Sequence, residues 1–330
     1  IDEWEDYIGL QHIRGQQTEH GIPVEGGILL IHSNNGLVTH ANGHIVKGEF
    51  PPSQFQITES SARDLIMKLY SDRELYFEME GMEELIKNID GDPQATFRPL
   101  GELTYADQNY SSNAEEYRLA WKFEVFVNQE VDREIVFIDA MTGNVLFKQA
   151  GSSSGCFKHH DHSESDCSDT KTASTVAGPL QASGLTRYVG EQSFTTDSLA
   201  PDHYVLRDVS RGDRIETLDV NRGTNAGQAV DFVDDDNYWD LANPMLDDAA
   251  IDAHHGAIMT YDFWNESYGW SSFDGRSSPM LSYIHWDVGW FNASWNGRFA
   301  RFGDGNGDPL TYIDIVSHEF THGLTGNTSR

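Results

Sequence analysis

Near the end of the chain, in the stretch SHEFTHGL, two histidines are spaced as metal ligands on a helix often are. On a helix, His318 and His322 lie one turn apart on the same face, and two imidazoles at that spacing can share one Zn²⁺. Glu319 projects about a hundred degrees round the helix from His318, so it can reach a water at the metal without binding the metal. The pattern predicts a zinc site at which Glu319 acts as general base, taking a proton from the water that attacks a peptide carbonyl. The motif is short, and a helix that merely contains these three residues is the alternative.

An amphipathic helix must hold these ligands. TYIDIVSHEFTHGL has a second row of residues, Val316, Phe320 and Leu324, four apart and on the side opposite the histidines. We expect this row to enter a hydrophobic core and fix the helix in place.

Several carboxylates could bind a hard cation. Asp314 lies one turn before His318, where it is either a metal ligand or, with Thr311, part of a capping box. Asp234 and Asp236, in VDDDN, have enough oxygen ligands for a cation, although a solvated loop has the same composition. The acidic run GDGNGD at 303–308 has proline where a calcium loop needs glycine, which favours a turn.

Composition limits the function classes. The 330 residues include 53 acidic and 22 basic side chains, a formal net charge of −31, which disfavours nucleic acid and anionic membranes as partners. No apolar run is long enough to span a bilayer. We expect a secreted protein. Its two cysteines, Cys156 and Cys167, form either a local disulfide or two free thiols.

The first half of the chain has an α+β pattern. Residues 21–49 alternate apolar and polar side chains around two hairpin signals, at 34–36 and at Asn42-Gly43. Residues 61–70 have helical spacing, and 117–127 and 133–148 are strand-like, with a turn at Thr142-Gly143.

A change of composition divides the chain. Residues 150–174 are rich in Ser, Gly, Asp and His, which is typical of a linker. Strands resume after it, residues 249–269 are predicted to form a helix, and the histidine helix comes last.

Four segments together resemble the thermolysin-like secreted zinc metallopeptidases. They occur in that family's order: AIDAHHGAIMTYDFWNESYG, SYIHWDVGWFNASWNG, FGDGNGDP and IDIVSHEFTHGLT. GIPVEGG, ANGHIVKG and IDAMTGNVLF resemble the family's propeptide. The resemblance implies a propeptide domain at 1–55 and a cystatin-like module at 56–149. A linker with the activation site follows at 150–174, and the β-rich N-terminal lobe of the catalytic domain occupies 175–330, ending in the zinc helix.

The resemblance also implies roles for individual residues. His318 and His322 would be zinc ligands, Glu319 the base, and Asp314 a calcium ligand, with a second calcium site at Asp234 and Asp236. Asn292 and the backbone of Ala293 would form an edge that pairs with a peptide or protein substrate. Propeptides of this family assist folding and inhibit the protease until they are cleaved.

In this family the third zinc ligand is a glutamate on the following helix, in a helical C-terminal lobe. We therefore expect that this lobe is a separate or missing segment beyond Arg330, and that the 330 residues alone are inactive. The leading hypothesis is a zinc endopeptidase zymogen. The alternative is a non-catalytic secreted binding or inhibitory module derived from such a precursor.

Overall fold

The computed structural model describes residues 2–5, 9–128, 133–151, 179–240 and 247–328. Both halves are mixed α and β, as predicted. Within these residues no helix is long and apolar enough to cross a membrane. Cys156 and Cys167, and nearly all of the predicted linker, lie outside the described residues.

The first half is one eight-stranded sheet with two helices. The elements are β1 (Asp2–Glu5), β2 (Leu10–Glu19), β3 (Ile22–Asn34), β4 (Leu37–His44), α1 (Glu59–Leu69), α2 (Met82–Asp90), β5 (Gly101–Ala106), β6 (Arg118–Phe126), β7 (Arg133–Asp139) and β8 (Val145–Ala150). The strands follow the order β1-β2-β3-β5-β6-β7-β8, with β4 paired to β3, and all neighbours are antiparallel except β3 and β5.

One of the two hairpin signals is confirmed and the other is wrong. Asn35 and Gly36 have φ of 50° and 77°, the left-handed pair that a two-residue turn between β3 and β4 requires. Asn42 and Gly43 instead lie inside β4, opposite Leu30 and Leu29. A Cβ on Gly43 would come within 2.1 Å of the carbonyl oxygen of Ile28, so this glycine permits close approach of two strands.

The sheet spans the predicted boundary at residue 55. Val24 and Val46, from the first segment, share a core with Ile66, Tyr105 and Phe123 from the second. The division into 1–55 and 56–149, and the cystatin-like likeness of the second part, stay predictions.

The second half contains two smaller sheets around a long buried helix. The elements are β9 (Leu180–Thr186), β10 (Gly190–Ala200), β11 (His203–Val205), β12 (Arg207–Asp208), β13 (Ile215–Asp219), β14 (Val230–Asp231), β15 (Val233–Asp234), β16 (Tyr238–Trp239), α3 (Asp247–Tyr268), β17 (Met280–Ile284), β18 (Ala293–Trp295), β19 (Ala300–Phe302) and α4 (Ile313–Thr328). One sheet has the order β15-β11-β10-β9-β16. The other has the order β12-β13-β17-β19-β18, with β14 paired to β13.

One hydrophobic core contains residues of both halves, and we call it the shared core. Its buried side chains come from α2 and β6 and their neighbours on one side, and from the β17–β19 sheet and its loops on the other. Tyr76 and Phe299 stack with centroids 6.5 Å apart across this junction. The other buried members are Met79, Met82, Ile86, Ile89, Phe97, Phe126, Val220, Ala226, Leu281, Tyr283 and Trp286.

Candidate metal centre and substrate edge

The two motif histidines converge on one face of α4. The Nε2 atoms of His318 and His322 lie 3.0 Å apart, and their rings are edge to face at 85°. His318 is exposed and His322 is half-buried, so the pair lies at the surface within reach of a ligand. The donor chemistry fits Zn²⁺, because two imidazole nitrogens of adjacent turns are directed at a common point.

The opposite face of α4 fixes the histidines, as predicted. Val316 and Phe320 are fully buried, and Leu324 packs against the same core. The Phe320 ring lies 5.7 Å from that of Trp295 on β18. Gly323 allows this close packing, because a Cβ there would lie 3.0 Å from Trp295.

Glu319 is buried between α4 and β18, with 6% of its surface exposed. Burial raises the pKa of its carboxyl, while His318, a hydrogen bond from the Trp295 backbone and Arg301 act in the opposite direction. Burial, helped by the nearby His318, lowers the pKa of His322. The lowered pKa favours the neutral imidazole, which is the form of histidine that binds a metal.

The histidine pair has no third ligand close by in the part of the chain that the structure describes. Among those residues, no third His, Cys, Asp or Glu places a ligand atom within 4.8 Å of both. Zinc in a catalytic site takes three protein ligands, and this pair would supply two of them.

The predicted substrate residues lie on a sheet edge. β18 pairs with β19 on one side and is the last strand in the sheet order. Ala293 opens β18 opposite Phe302, and the carbonyl of Asn292 just before it accepts a hydrogen bond from Gly303 N at 3.0 Å. The edge strand and Glu319 are therefore adjacent, since Trp295 of β18 bonds to Glu319.

Arg301 is a site residue that sequence reasoning missed. It is 1% exposed, and its Nε donates to Ser294 Oγ at 2.6 Å across the β18–β19 pair. Its guanidinium lies 5.0 Å and 5.1 Å from the rings of Trp286 and Trp290. Arginine is mostly exposed in proteins, and nothing in the local pattern marks this one as buried.

The acidic candidates occupy two separate places. Asp234, Asp235 and Asp236 bring carboxylate oxygens within 4.8 Å of one another. Burial raises the pKa of Asp234, and repulsion by the two neighbouring carboxylates acts in the same direction. Hydrogen bonds from the backbone of Asp236 and Asn237 lower it. The predicted turn at 303–308 is confirmed, with Gly307 N bonded to Asp304 O at 2.8 Å.

Asp314 lies exposed in the first turn of α4. Its Oδ1 accepts a hydrogen bond from Ile315 N at 3.0 Å. The reciprocal bonds of a capping box are not formed, because the buried hydroxyl of Thr311 has no hydrogen-bond partner.

Comparison with known proteins matches both halves. Residues 181–326 match the family described as thermolysin metallopeptidase, catalytic domain, and residues 2–45 match the fungalysin/thermolysin propeptide motif. The chain is related to the precursors of thermolysin-like metallopeptidases. This confirms the resemblance of the sequence motifs, and the metalloprotease and propeptide character they predict.

Curated relatives match along nearly the whole chain. Bacillolysin of Brevibacillus brevis is 29% identical over 97% of this chain and 52% of its own length. Thermolysin of Alicyclobacillus acidocaldarius subsp. acidocaldarius is 27% identical over 100% of this chain and 56% of its own. Bacillolysin of Bacillus cereus is 31% identical over 68% of this chain and 40% of its own length. The chain thus spans about half the length of the curated relatives that it matches.

Among solved structures, the precursor of protealysin, a metalloproteinase from Serratia proteamaculans, matches 34% of this chain and 34% of its own at 28% identity. The TM-score of 0.29 is too low to compare the two folds.

Proposed function

We propose that this chain is the precursor part of a secreted zinc endopeptidase, in which residues 1–149 keep the catalytic lobe inactive. One observation carries the proposal: buried Glu319 lies between two convergent imidazoles and an open sheet edge. Metal ligands, a base and a surface for an extended peptide are thereby brought together.

His318 and His322 are the residues that would hold the zinc. When bound, zinc lowers the pKa of a water to about 7 and polarises a carbonyl. The family resemblance implies a glutamate of the following helix as the third protein ligand.

Glu319 takes the proton from the attacking water and delivers it to the departing amine. Burial raises its pKa from the ordinary carboxyl value towards the range where a base can both accept and return a proton. The hydrogen bond from the Trp295 backbone keeps the carboxylate directed along β18.

The edge of β18 receives the substrate. An extended peptide can pair with the backbone of Ala293 as an added strand, next to Asn292 along the edge, with main-chain hydrogen bonds as the source of affinity. Because Trp295 of the same strand contacts Glu319, this pairing brings a peptide carbonyl to the base.

The propeptide holds the turn that follows β18. Arg298 Nη1 lies 3.4 Å from Asp90 Oδ1 of α2. Arg133 of β7 lies against Gly297. A Cβ added to Gly297 would lie 2.6 Å from Nη1 of Arg133. Residues 1–149 can therefore act as an intramolecular inhibitor by restricting the substrate edge, and cleavage within 150–174 would release them.

Calcium is proposed at two places. The three carboxylates at 234–236 form an oxygen-rich cluster of the kind that Ca²⁺ prefers. Asp314, exposed at the start of α4, would contribute one ligand to another site. These assignments come from the family resemblance.

The test is Glu319→Gln in the secreted, activated enzyme. Peptide hydrolysis is expected to fall by roughly a hundred- to ten-thousand-fold while zinc content is unchanged, because the amide keeps the shape but cannot accept the proton. Glu266→Gln, the same change at an exposed position of α3, is the matched control and should keep full activity. Comparable activity in both variants would remove Glu319 from the mechanism. Peptide binding without hydrolysis in the parent protein would favour the non-catalytic module instead.

A further inference from the structure

Three histidines stand side by side on the propeptide sheet. His12 of β2 pairs directly with His32 of β3, and His32 pairs directly with His40 of β4. Residues directly opposite each other in antiparallel strands project from the same face, with Cβ atoms about 4.5–5.5 Å apart. We call these three residues the histidine row.

Two members of the row already converge. His12 Nδ1 lies 2.7 Å from His32 Nδ1, with the rings at 84° and their centroids 5.0 Å apart. This is close to the geometry of His318 and His322, whose centroids are 4.5 Å apart at 85°. Bonds of about 2.0–2.1 Å to a tetrahedral zinc need the two nitrogens about 3.3 Å apart, so a small side-chain rotation admits the ion.

A neighbouring amide fixes the tautomer that a metal needs. His32 Nε2 lies 2.8 Å from Asn42 Oδ1 on β4, so Nε2 carries the proton and donates it. The lone pair of His32 Nδ1 then faces His12. Metal-bound histidines usually donate their other ring N–H to an oxygen, which orients the ring and raises the basicity of the ligand.

His40 is the candidate for the third nitrogen, and because the three ligand atoms do not all lie within 4.8 Å of one another, it reaches a shared ion only after its ring rotates. Its ring stacks on His32 with centroids 4.1 Å apart, and it is exposed, so it can turn towards the pair without disturbing a core. Its Nδ1 contacts only the hydroxyl of its neighbour Thr39, at 3.1 Å, among the hydrogen bonds that the structure shows for it. The strongly negative chain, at −31, attracts cations to such a surface site.

We propose that the histidine row binds a divalent transition-metal ion and thereby ties together three strands of the propeptide. Imidazole ligands select zinc, copper or nickel over calcium or magnesium, which take oxygen ligands. Zn²⁺ is the probe, and water completes its coordination. The site lies on β2–β4 and does not depend on the proposed protease chemistry of α4.

The experiment compares two double variants of the full chain. Each is saturated with Zn²⁺, dialysed, and assayed for bound zinc by mass spectrometry of the metal. His12→Gln/His32→Gln should bind one zinc fewer per chain than the parent. His20→Asn/His44→Gln also removes two histidines, one from the turn between β2 and β3 and one from β4, and should retain the parent's zinc. Both variants keep His318, His322 and the linker histidines, so their difference isolates the row.

Equal zinc content in the two variants would overturn the proposal. A fold control is far-ultraviolet circular dichroism of both variants without metal. If the first variant does not fold, ¹⁵N spectra of the parent's histidine side chains decide the question. The Nδ1 resonances of His12 and His32 should shift on adding one further equivalent of Zn²⁺, and unchanged resonances would refute the site.

Discussion

At the scale of single residues, burial keeps one histidine of the second half neutral. His254 of α3 is fully buried, with Nε2 2.9 Å from Thr195 O and Nδ1 3.1 Å from Thr217 Oγ1. Nε2 therefore donates to the carbonyl and Nδ1 accepts from the hydroxyl, so the neutral ring is fully hydrogen-bonded. Burial lowers the pKa of His254 to about 4.

We expect His254 to make the catalytic lobe sensitive to acid. Its pKa is about 4 when folded and about 6.5 when unfolded, so the unfolded state binds more protons between these values and stability falls as pH drops from about 6.5 to about 4. This difference in pKa corresponds to a loss of roughly 3 kcal/mol in the free energy of unfolding. His254→Gln should flatten this part of the stability–pH curve, measured by urea unfolding. His20→Asn, at an exposed left-handed turn position where asparagine is tolerated, should leave the slope unchanged.

At the scale of elements, the core row of α4 determines how well the site is positioned. We expect Phe320→Ala to destabilise the lobe by about 3–5 kcal/mol, because a fully buried aromatic ring leaves a cavity beside Trp295. Thermal unfolding measures the loss. Thr321→Ala, on the exposed side of the same helix, should change stability by less than about 0.5 kcal/mol. Similar values for the two variants would show that α4 is not held by this face.

The local sequence pattern predicted individual helices and strands, but it did not predict features that depend on contacts between distant segments. The spacing of Val316, Phe320 and Leu324 is internal to one helix, so its core face could be predicted from the sequence. Whether Asn42-Gly43 turns or continues a strand depends on the backbone of Ile28, which the local pattern does not contain. In the same way, the burial of Arg301 depends on tryptophans of neighbouring loops.

At the scale of the whole molecule, two glycines meet where the propeptide contacts the lobe. A Cβ on Gly227 would lie 2.5 Å from the carbonyl carbon of Gly81, and Gly81 has a φ of 82°. Beside them, Asn225 Nδ2 donates to Glu80 O at 2.9 Å. The junction is therefore closed by backbone contact as well as by the shared core.

We expect Gly227→Ala to weaken the hold of the propeptide on the lobe. The added methyl group forces the backbones apart, at a cost of about 1–3 kcal/mol, which is roughly 5- to 150-fold in Kd. After cleavage within 150–174, the dissociation of residues 1–149 can be followed by surface plasmon resonance. Gly15→Ala is the control, because its Cβ would meet only the Leu29 carbonyl oxygen, at 4.0 Å. Unchanged dissociation in Gly227→Ala would mean that the junction does not depend on this contact.

The shared core also has a consequence for the order in which the molecule is made. The two cores made only of propeptide residues have their buried members between Val24 and Phe147, so both are fully synthesised before the lobe's strands leave the ribosome. Tyr76, Phe97 and Phe126 are then already in place when Tyr283 and Phe299 emerge. Since domains fold from the N-terminus as the chain is made, the sheet face of the lobe meets a waiting apolar surface instead of water. Synthesis in the opposite order would leave that face exposed.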